Sequence, residues 1–368
     1  MIDISTFIKN NEIYISEEYF SKLKREYTED EIIDAISMAI DEYEIPMPKR
    51  KISYMDAVMS FHDLMEFDTS TLLSHGPTYS RYEYNHKFGD KIVTQSNIGN
   101  IASDHFHQER RFHCDSINAP SPYRSWTQPK FRKGFLKALF SMKFKEVTTQ
   151  TLRNAIGLRK YIASQFKPSV AKFVYDHFKS VDVLDFSAGW GDRLAGFYAS
   201  EKTRSYTGID PNKTLVEPYA RQVDLYSSIN PKHATMLSGC AEEVLPLNKT
   251  FDTVFTSPPY FNIERYTQDD NQSWKRYRKI DIWLNEFLFP VLKQSYGMLE
   301  DGGTMIINIS DVYSGHKINK ICDPMCDFLI DLGATYDGTI GMKLSKRPNS
   351  RATKQDGTFV EPMWIFKK

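Results

Sequence analysis

The stretch Val183-Leu184-Asp185-Phe186-Ser187-Ala188-Gly189-Trp190-Gly191-Asp192 decides the fold. Its apolar start predicts a buried strand, the small residues after it predict a tight turn, and a helix is expected to begin near Asp192. Gly189 and Gly191 allow the backbone to approach a ligand closely, and the start of the helix adds free N–H groups. Glycine turns of this kind occur in nucleotide-binding proteins of many classes, so the turn alone does not identify the ligand.

A second predicted strand, 205–209, ends at Asp210, 19 residues after Gly191. An acidic side chain at the tip of a neighbouring parallel strand is well placed to bind the two hydroxyls of a ribose. The alternative is that Asp210 caps the helix that follows Pro211. The spacing between Gly191 and Asp210 therefore favours a ligand that contains a nucleoside, and a helix cap at Asp210 is the competing interpretation.

A third predicted strand, 253–255, runs into Thr256-Ser257-Pro258-Pro259-Tyr260. Two consecutive prolines fix φ and remove two backbone donors, so the carbonyls of Ser257 and Pro258 point in set directions. Such acceptors, followed by an aromatic ring, suit a planar base that carries an exocyclic NH2 group. A Pro-Pro turn that ends in tyrosine also occurs by chance in loops.

The glycine turn and the Thr-Ser-Pro-Pro-Tyr sequence, at this spacing, resemble the motifs of the S-adenosylmethionine-dependent amino-methyltransferases. These enzymes methylate exocyclic nitrogens of bases in DNA. The resemblance covers about residues 160 to 368. It implies a doubly wound, mostly parallel, seven-stranded α/β methyltransferase sheet, S-adenosyl-L-methionine as cofactor, and transfer of a methyl group to cytosine N4 or adenine N6 of a flipped base. The serine at position 257 leaves the choice between the two bases open.

The resemblance also implies roles for individual residues. The catalytic loop is Ser257, Pro258, Pro259 and Tyr260. The cofactor contacts are Phe166, Pro168, Asp185, Phe186, Ser187, Ala188, Gly189, Gly191, Asp210, Cys240, Ala241, Glu242 and Thr256. Residues 185–191 would surround the methionine part, Asp210 the ribose, and residues 240–242 the adenine.

We expect two domains, a mainly helical accessory region at 1–150 and the Rossmann-like methyltransferase domain at 151–368. In the first region, Ile32, Ile36 and Ile40 repeat with helical spacing after the acidic start Glu29-Asp30-Glu31, and a second helix is expected from Ser53 to Met65. The accessory region has no recognisable recognition module. Recognition of nucleic acid is expected to come from this region, from the polar segment that follows the Pro-Pro loop up to Lys279, or from a partner.

The formal net charge is zero, but the charge is distributed unevenly. Residues 1–70 hold 16 acidic and 7 basic residues, whereas residues 110–180 hold 15 basic and 3 acidic ones. Basic residues interleaved with aromatic ones suit phosphate contacts and base stacking. The alternative is a solvated helix that buries Phe131, Phe135 and Leu139. The predicted nucleic-acid contacts are Arg124, Trp126, Lys130, Arg132, Lys133, Arg265, Tyr266, Arg276, Lys346 and Arg347.

The remaining composition limits the class of protein. The sequence contains no apolar run that approaches 18 residues and no apparent signal peptide, and its four cysteines are too few for a disulfide framework. We therefore expect a soluble, cytoplasmic enzyme without a membrane partner. His105, His107, His113 and Cys114 do not follow a recognised ligand spacing, so we expect no metal. The alternatives are an RNA adenine-N6 or protein Gln methyltransferase, and a catalytically silent module that binds the cofactor or nucleic acid.

Overall fold

The computed structural model describes residues 2–117, 119–159, 162–345 and 356–368, and it divides into two compact units. Unit 1 consists of Met1–Lys51 and Glu109–Ser164. Unit 2 consists of Ile52–Gln108 and Gln165–Lys368. The expected division at residue 150 differs from this one, because residues 52–108 supply strands and a helix to the unit that contains the large sheet.

The helices of the described residues are short to medium in length. They are α1 Glu17–Glu26, α2 Glu29–Glu42, α3 Tyr54–Glu66, α4 Asn100–His113, α5 Pro122–Thr127, α6 Pro129–Leu136, α7 Ala138–Ser141, α8 Thr149–Arg159, α9 Pro168–Phe178, α10 Asp192–Ala199, α11 Val216–Ile229, α12 Ala241–Val244, α13 Ser273–Arg276, α14 Ile280–Trp283, α15 Phe289–Gly297 and α16 Cys322–Asp331. A π-helical turn, Leu284–Leu288, joins α14 to α15. None of the described helices is long and apolar enough to cross a bilayer.

The strands of the described residues range from two-residue pairings to ten-residue strands. They are β1 Ile8–Lys9, β2 Glu12–Ile13, β3 Leu73–His75, β4 Thr78–Tyr79, β5 Lys91–Val93, β6 Asp115–Ser116, β7 Asp182–Asp185, β8 Ser205–Asp210, β9 His233–Ser238, β10 Phe251–Thr256, β11 Glu264–Arg265, β12 Leu299–Asn308, β13 Val312–Ser314, β14 Lys317–Asn319, β15 Thr335–Lys343 and β16 Thr358–Lys367.

Unit 1 is helical, as expected for the accessory region. Helix α2 begins with a capping box in which Thr28 and Glu31 bond reciprocally to the backbone, and its isoleucines are buried. They pack with Phe20 of α1 and with Phe135 and Leu139 from the segment 129–141. The predicted helical periodicity of both segments therefore forms one hydrophobic core.

Unit 2 contains a sheet with the order β3-β5-β15-β16-β12-β10-β7-β8-β9. Strands β12, β10, β7, β8 and β9 run parallel to one another, whereas β16 is antiparallel to both β12 and β15. The seven strands from β15 to β9 confirm the doubly wound, mostly parallel α/β sheet. The whole sheet has ten strands, because residues 73–93 add β3, β5 and β4 to its outer part.

Apolar side chains cover both faces of this sheet. Leu184, Val254 and Met305 face a core that includes α15 and α16, whereas the adjacent Val183, Phe255 and Ile306 face a second core built with α3, α9, α10 and α11. The side chains of successive strand residues point to opposite faces, so each strand contributes to both cores. Continuous apolar strands of this kind are typical of a sheet with helices on both sides.

Candidate active site

The two predicted motifs end adjacent parallel strands. Strand β10 pairs with β7 in the registers Thr253 with Val183 and Val254 with Leu184. Chain order reverses between these two strands, since β8 and β9 lie beyond β7 and β12 lies beyond β10. Ligands of open α/β sheets bind at the carboxyl ends of the strands where the order reverses. The glycine turn after β7 and the Pro-Pro loop after β10 therefore lie at the expected position of a ligand crevice.

The two glycines of the turn are present for different structural reasons. Both adopt left-handed conformations, with φ values of 61° at Gly189 and 69° at Gly191. A Cβ atom at Gly191 would lie 2.0 Å from Oε1 of Gln222, so this glycine is required by packing. A Cβ atom at Gly189 would meet only the Ser187 carbonyl, at 3.8 Å. The backbone at Gly189 is thus open to a ligand.

A buried ion pair supports the turn. Nε of Arg193 donates to Oδ2 of Asp185 at 2.7 Å, the Tyr206 hydroxyl donates to the same oxygen at 2.7 Å, and Arg193 also donates to the Ser187 carbonyl. Burial opposes the charge of Arg193, but the Asp185 carboxylate outweighs it and raises the Arg193 pKa. Both side chains are buried. Asp185 therefore holds the turn in place and is not free to contact a ligand.

Asp210 lies at the end of β8, as predicted, and it is half-buried. Its carboxylate accepts hydrogen bonds from the backbone N–H of Gly189 at 3.0 Å and of Asn212 at 2.9 Å. Burial raises the Asp210 pKa to about 7, although both backbone hydrogen bonds oppose the shift. Each carboxylate oxygen retains a further lone pair, which suits the acceptance of hydrogen bonds from a diol.

The predicted adenine-side residues begin α12. Cys240 is buried, and its thiol donates to the Asn271 carbonyl at 3.4 Å. Glu242 accepts a hydrogen bond from Tyr277 at 2.8 Å. Among the described residues, Cys240, Glu242 and Glu243 form the group that could hold a metal ion. Nη1 of Arg276 lies 3.1 Å from Glu242 and 2.7 Å from Glu243, so a guanidinium already pairs with both carboxylates.

The remaining predicted cofactor residues surround this turn. Phe166 packs edge-on against Phe255 with ring centroids 5.6 Å apart, and Pro168 is the buried first residue of α9. Phe186 and Ala188 are buried, whereas Ser187 is half-buried. Thr256 is buried, and within the described part of the chain its hydroxyl has no hydrogen-bond partner. A buried polar atom without a partner requires an explanation, and a hydrogen bond from a bound ligand would supply one here.

The catalytic loop is held by its hydroxyl groups. Ser257 Oγ and the Tyr260 hydroxyl both donate to Asn308 Oδ1, each at 3.4 Å, and Asn308 donates to the Pro362 carbonyl at 3.2 Å. Phe261, directly after the loop, has a φ of 52°, a conformation that is costly for a bulky residue. Its ring is buried and packs edge-on against Trp283. Packing therefore keeps the end of the loop in a strained conformation.

Two residues of this cluster were missed in the sequence. Asn308 ends β12, and Glu361 lies on β16, two residues before Met363, which pairs with Asn308. Burial raises the Glu361 pKa, against hydrogen bonds with Tyr260 and Asn308. The available signal was a polar residue beside the apolar run of each strand, Asn308 after residues 305–307 and Glu361 before residues 362–366. That signal does not show that the strands are neighbours.

The segment after the catalytic loop lies against the cofactor-side turns. The ring of Tyr266 meets Trp190 edge-on at 5.6 Å, and Asn271 donates to the Pro211 carbonyl at 2.6 Å. The Arg265 guanidinium lies 4.9 Å from the Trp274 ring. Arg265, Tyr266 and Arg276, which the sequence assigned to nucleic acid, thus contact protein groups here, and their contact with nucleic acid stays a prediction.

The basic stretch in unit 1 requires a correction. Trp126 and Arg132 are only 2% and 1% exposed. Trp126 donates to the Ile45 carbonyl at 2.7 Å, and Arg132 pairs with Asp41 and donates to the Ser37 carbonyl at 2.8 Å. These two side chains hold helices together, because each satisfies buried polar groups. The prediction that they contact nucleic acid is therefore wrong, because neither side chain reaches the surface of unit 1.

The other predicted contacts of the stretch reach the surface. Arg124 pairs with Asp115, Lys133 lies 3.2 Å from Asp30, and Lys130 is exposed. Their role stays a prediction. Lys346 and Arg347 lie outside the described residues.

Comparison with known proteins supports a methyltransferase family. Residues 251–367 match a family model described as DNA methylase. The type II beta methyltransferase M.BslI of Bacillus sp. (strain NEB-606) is 27% identical over 155 residues, an alignment that covers 36% of this chain. This alignment spans only 16% of the relative's own length.

Two solved structures were also found in the comparison. A methyltransferase from Pyrococcus furiosus is 18% identical, with coverage of 51% of this chain and 74% of that chain and a TM-score of 0.33. An rRNA methylase from Streptococcus thermophilus is 12% identical, with coverage of 56% and 99% and a TM-score of 0.33. These scores are too low to support a conclusion about function. The match to the DNA methylase model thus covers residues 251–367, which contain the Ser-Pro-Pro-Tyr loop.

Proposed function

We propose that this protein transfers a methyl group from S-adenosylmethionine to an exocyclic amine of a base in DNA, cytosine N4 or adenine N6. The observation that carries the proposal is the pairing of β7 with β10, which sets the glycine turn beside the Ser-Pro-Pro-Tyr loop at the carboxyl edge of the sheet. A crevice at that edge can hold a nucleoside cofactor and a target amine together. Alignment of the two reactants is the main requirement of this reaction.

The residues at the glycine turn fit the cofactor. The open backbone at Gly189 accommodates the amino-acid part, and the remaining lone pairs of Asp210 accept hydrogen bonds from the ribose hydroxyls. The buried Thr256 hydroxyl gains a partner from a ligand that lies at the carboxyl ends of β7 and β10. When bound, S-adenosylmethionine supplies an electrophilic methyl group.

The catalytic loop binds and orients the target amine. The Ser257 and Pro258 carbonyls and the Ser257 Oγ atom supply acceptors for its two hydrogens, which weakens the delocalisation of the nitrogen lone pair into the ring. Tyr260 stacks on the base, and its hydroxyl is fixed by Asn308, so the ring cannot turn away. A base in a duplex must leave the stack to reach this loop.

Transfer would break the methyl–sulfur bond of the cofactor as the new C–N bond forms, and the amine would then release one proton to water. Until then it needs no strong base, because the proton becomes acidic only after the nitrogen is alkylated. Glu361 contacts the Tyr260 hydroxyl at the edge of the crevice and is a positioning residue for the loop. We propose a cytoplasmic location, since access to DNA and four buried cysteines suit a reducing compartment.

We also propose that unit 1 contributes DNA contacts. Its exposed basic side chains, Lys130 among them, supply phosphate contacts, and Lys133 and Arg124 can exchange their surface carboxylate partners for phosphate. Substitution of Lys130 and Lys133 by Gln should weaken DNA binding and reduce its salt dependence. Unchanged binding and salt dependence would remove unit 1 from the DNA-binding surface.

Transfer of a labelled methyl group tests the proposed function. The protein is incubated with methyl-labelled S-adenosylmethionine and separate pools of DNA, RNA and protein, with Tyr260→Ala as the matched variant of reduced turnover. We expect label in DNA alone, and mass spectrometry of the nucleosides then identifies the base. Label confined to RNA or protein would contradict the DNA assignment. Cofactor binding without transfer to any pool would indicate a silent binding module.

A further inference from the structure

A short hairpin follows β12, the strand whose last residue, Asn308, bonds to the catalytic loop. Strand β12 ends at Asn308, the partner of Ser257 and Tyr260, and β13 begins four residues later at Val312. Strand β13 pairs with β14 through a two-residue turn, Gly315-His316, with φ values of 59° and 61°. Two left-handed turn residues match the natural twist of a tight hairpin. The hairpin is thus a defined structure next to the catalytic loop.

The base of the hairpin is rigid. Oδ1 of the buried Asp311 accepts the backbone N–H of Ile321 at 2.8 Å and of Cys322 at 3.0 Å, which closes the loop at its two ends. Val312 packs into the core, and the buried Asn319 side chain donates to the Ser314 carbonyl at 3.2 Å. Buried groups on one side therefore hold the hairpin in one orientation.

The other side of the hairpin carries an exposed apolar pair. Tyr313 and Ile318 lie directly opposite each other in the antiparallel register and are 54% and 51% exposed. His316 and Lys317 near the turn are exposed, whereas Lys320 at the base of the hairpin lies 3.3 Å from Asp311. An apolar pair beside basic side chains is complementary to stacked bases between phosphates.

We propose that the hairpin Val312–Asn319 inserts Tyr313 and Ile318 into the DNA duplex beside the target base, where they fill the space that the flipped base leaves. A two-stranded ribbon fits the major groove, and apolar side chains act as wedges between base steps. Unstacking the target base is costly, and side chains that replace its stacking partner lower that cost. The inference rests on the proposed DNA methyltransferase function and names the element that opens the duplex.

Comparison of duplex with single-stranded DNA tests the hairpin. Turnover of labelled cofactor is measured on plasmid DNA and on the same DNA after heat denaturation. The double variant Tyr313→Ser/Ile318→Ser should lower turnover on the duplex by about tenfold and leave turnover on denatured DNA within about twofold, since only the duplex requires unstacking. Tyr313→Phe/Ile318→Leu should retain activity on both substrates.

A matched control and a mass measurement complete the test. Ile330→Ser removes an apolar side chain that is 40% exposed on α16 and should leave both activities unchanged. Unchanged duplex activity of the double variant would overturn the proposal. Equal losses on both substrates would also overturn it. The molar mass in solution is measured for the wild type and the double variant. A wild-type dimer that becomes a monomer in the double variant would show that the pair contacts a second copy, and this result would overturn the proposal as well. A wild-type protein inactive on both substrates would refute the proposed function, and this inference with it.

Discussion

The two halves of the crevice are built in different ways. On the cofactor side, Asp185, Gly189, Arg193 and Asp210 belong to one strand–turn–helix–strand segment and bond to one another. On the target side, Ser257, Asn308 and Glu361 come from three strands that are distant in sequence and become neighbours only through the sheet. A contiguous segment gives a motif that can be recognised in a sequence, whereas a cluster across strands does not.

The two halves also differ in how charge is placed. The cofactor side contains a buried ion pair with a guanidinium that donates three hydrogen bonds to its surroundings. The target side contains the half-buried Glu361 beside neutral hydroxyl and amide groups. We therefore expect the cofactor side to determine the stability of unit 2, and the target side to determine turnover.

The largest effect is expected from Arg193→Met. The substitution leaves the Asp185 carboxylate buried without its guanidinium, which costs about 3–5 kcal/mol in the free energy of unfolding. Denaturant titration measures the loss. Arg221→Met, which breaks the exposed pair with Glu217, is the matched control and should change stability by less than about 1 kcal/mol. Equal effects of the two substitutions would show that the cofactor side has no special structural role.

A substitution on the target side should lower turnover, and a substitution on the cofactor side should lower cofactor affinity. Tyr260→Ala removes the stacking platform and should lower turnover by about ten- to a hundredfold, with cofactor affinity nearly unchanged. Asp210→Ala removes a charged acceptor and should weaken cofactor binding by about ten- to a hundredfold. Titration calorimetry and steady-state rates measure the two quantities. Similar losses of cofactor affinity in both variants would refute this division of roles.

The same contrast explains what the sequence could predict. The strand–turn–helix unit, the acidic tip of β8 and the rigid Pro-Pro loop depend on neighbouring residues, and each lies where the sequence places it. Glu361 could not be assigned, because β16 runs antiparallel to β12 and reaches Asn308 only through that pairing. The strands within residues 73–93 could not be predicted for the same reason. They are short, and they are fixed by pairing with β15 and β16, which are distant in sequence.

Burial explains the error in the basic stretch. Trp126 and Arg132 lie in a sequence rich in lysine and aromatic residues, which is typical both of nucleic-acid contacts and of an amphipathic helix. The carbonyls of Ile45 and Ser37 decide between the two, because they require buried donors. Composition cannot show which basic residue meets a buried acceptor.

The pH dependence of cofactor binding sharpens the role of Asp210. Its pKa of about 7 results from burial, so the carboxyl is protonated in acid and ionised in mild base. Ribose hydroxyls donate to the ionised form, and affinity should therefore fall about tenfold for each pH unit below this pKa. Asp210→Asn should bind more weakly, with an affinity that hardly varies with pH. A wild-type dissociation constant that stays flat across neutral pH would exclude the proposed contact.

The smallest effect is expected from Glu361→Gln, which tests the target side without changing its shape. The glutamine oxygen still accepts a hydrogen bond from Tyr260, so turnover at mildly basic pH should fall by only about threefold. Because burial raises the Glu361 pKa, the wild-type enzyme should lose activity in acid as this carboxyl takes up a proton, and the variant should lack that part of the pH profile. The exposed Glu300→Gln is the control and should retain the wild-type profile. An unchanged profile in Glu361→Gln would show that the ionised carboxylate does not hold Tyr260, and the positioning of the loop would then depend on Asn308 alone.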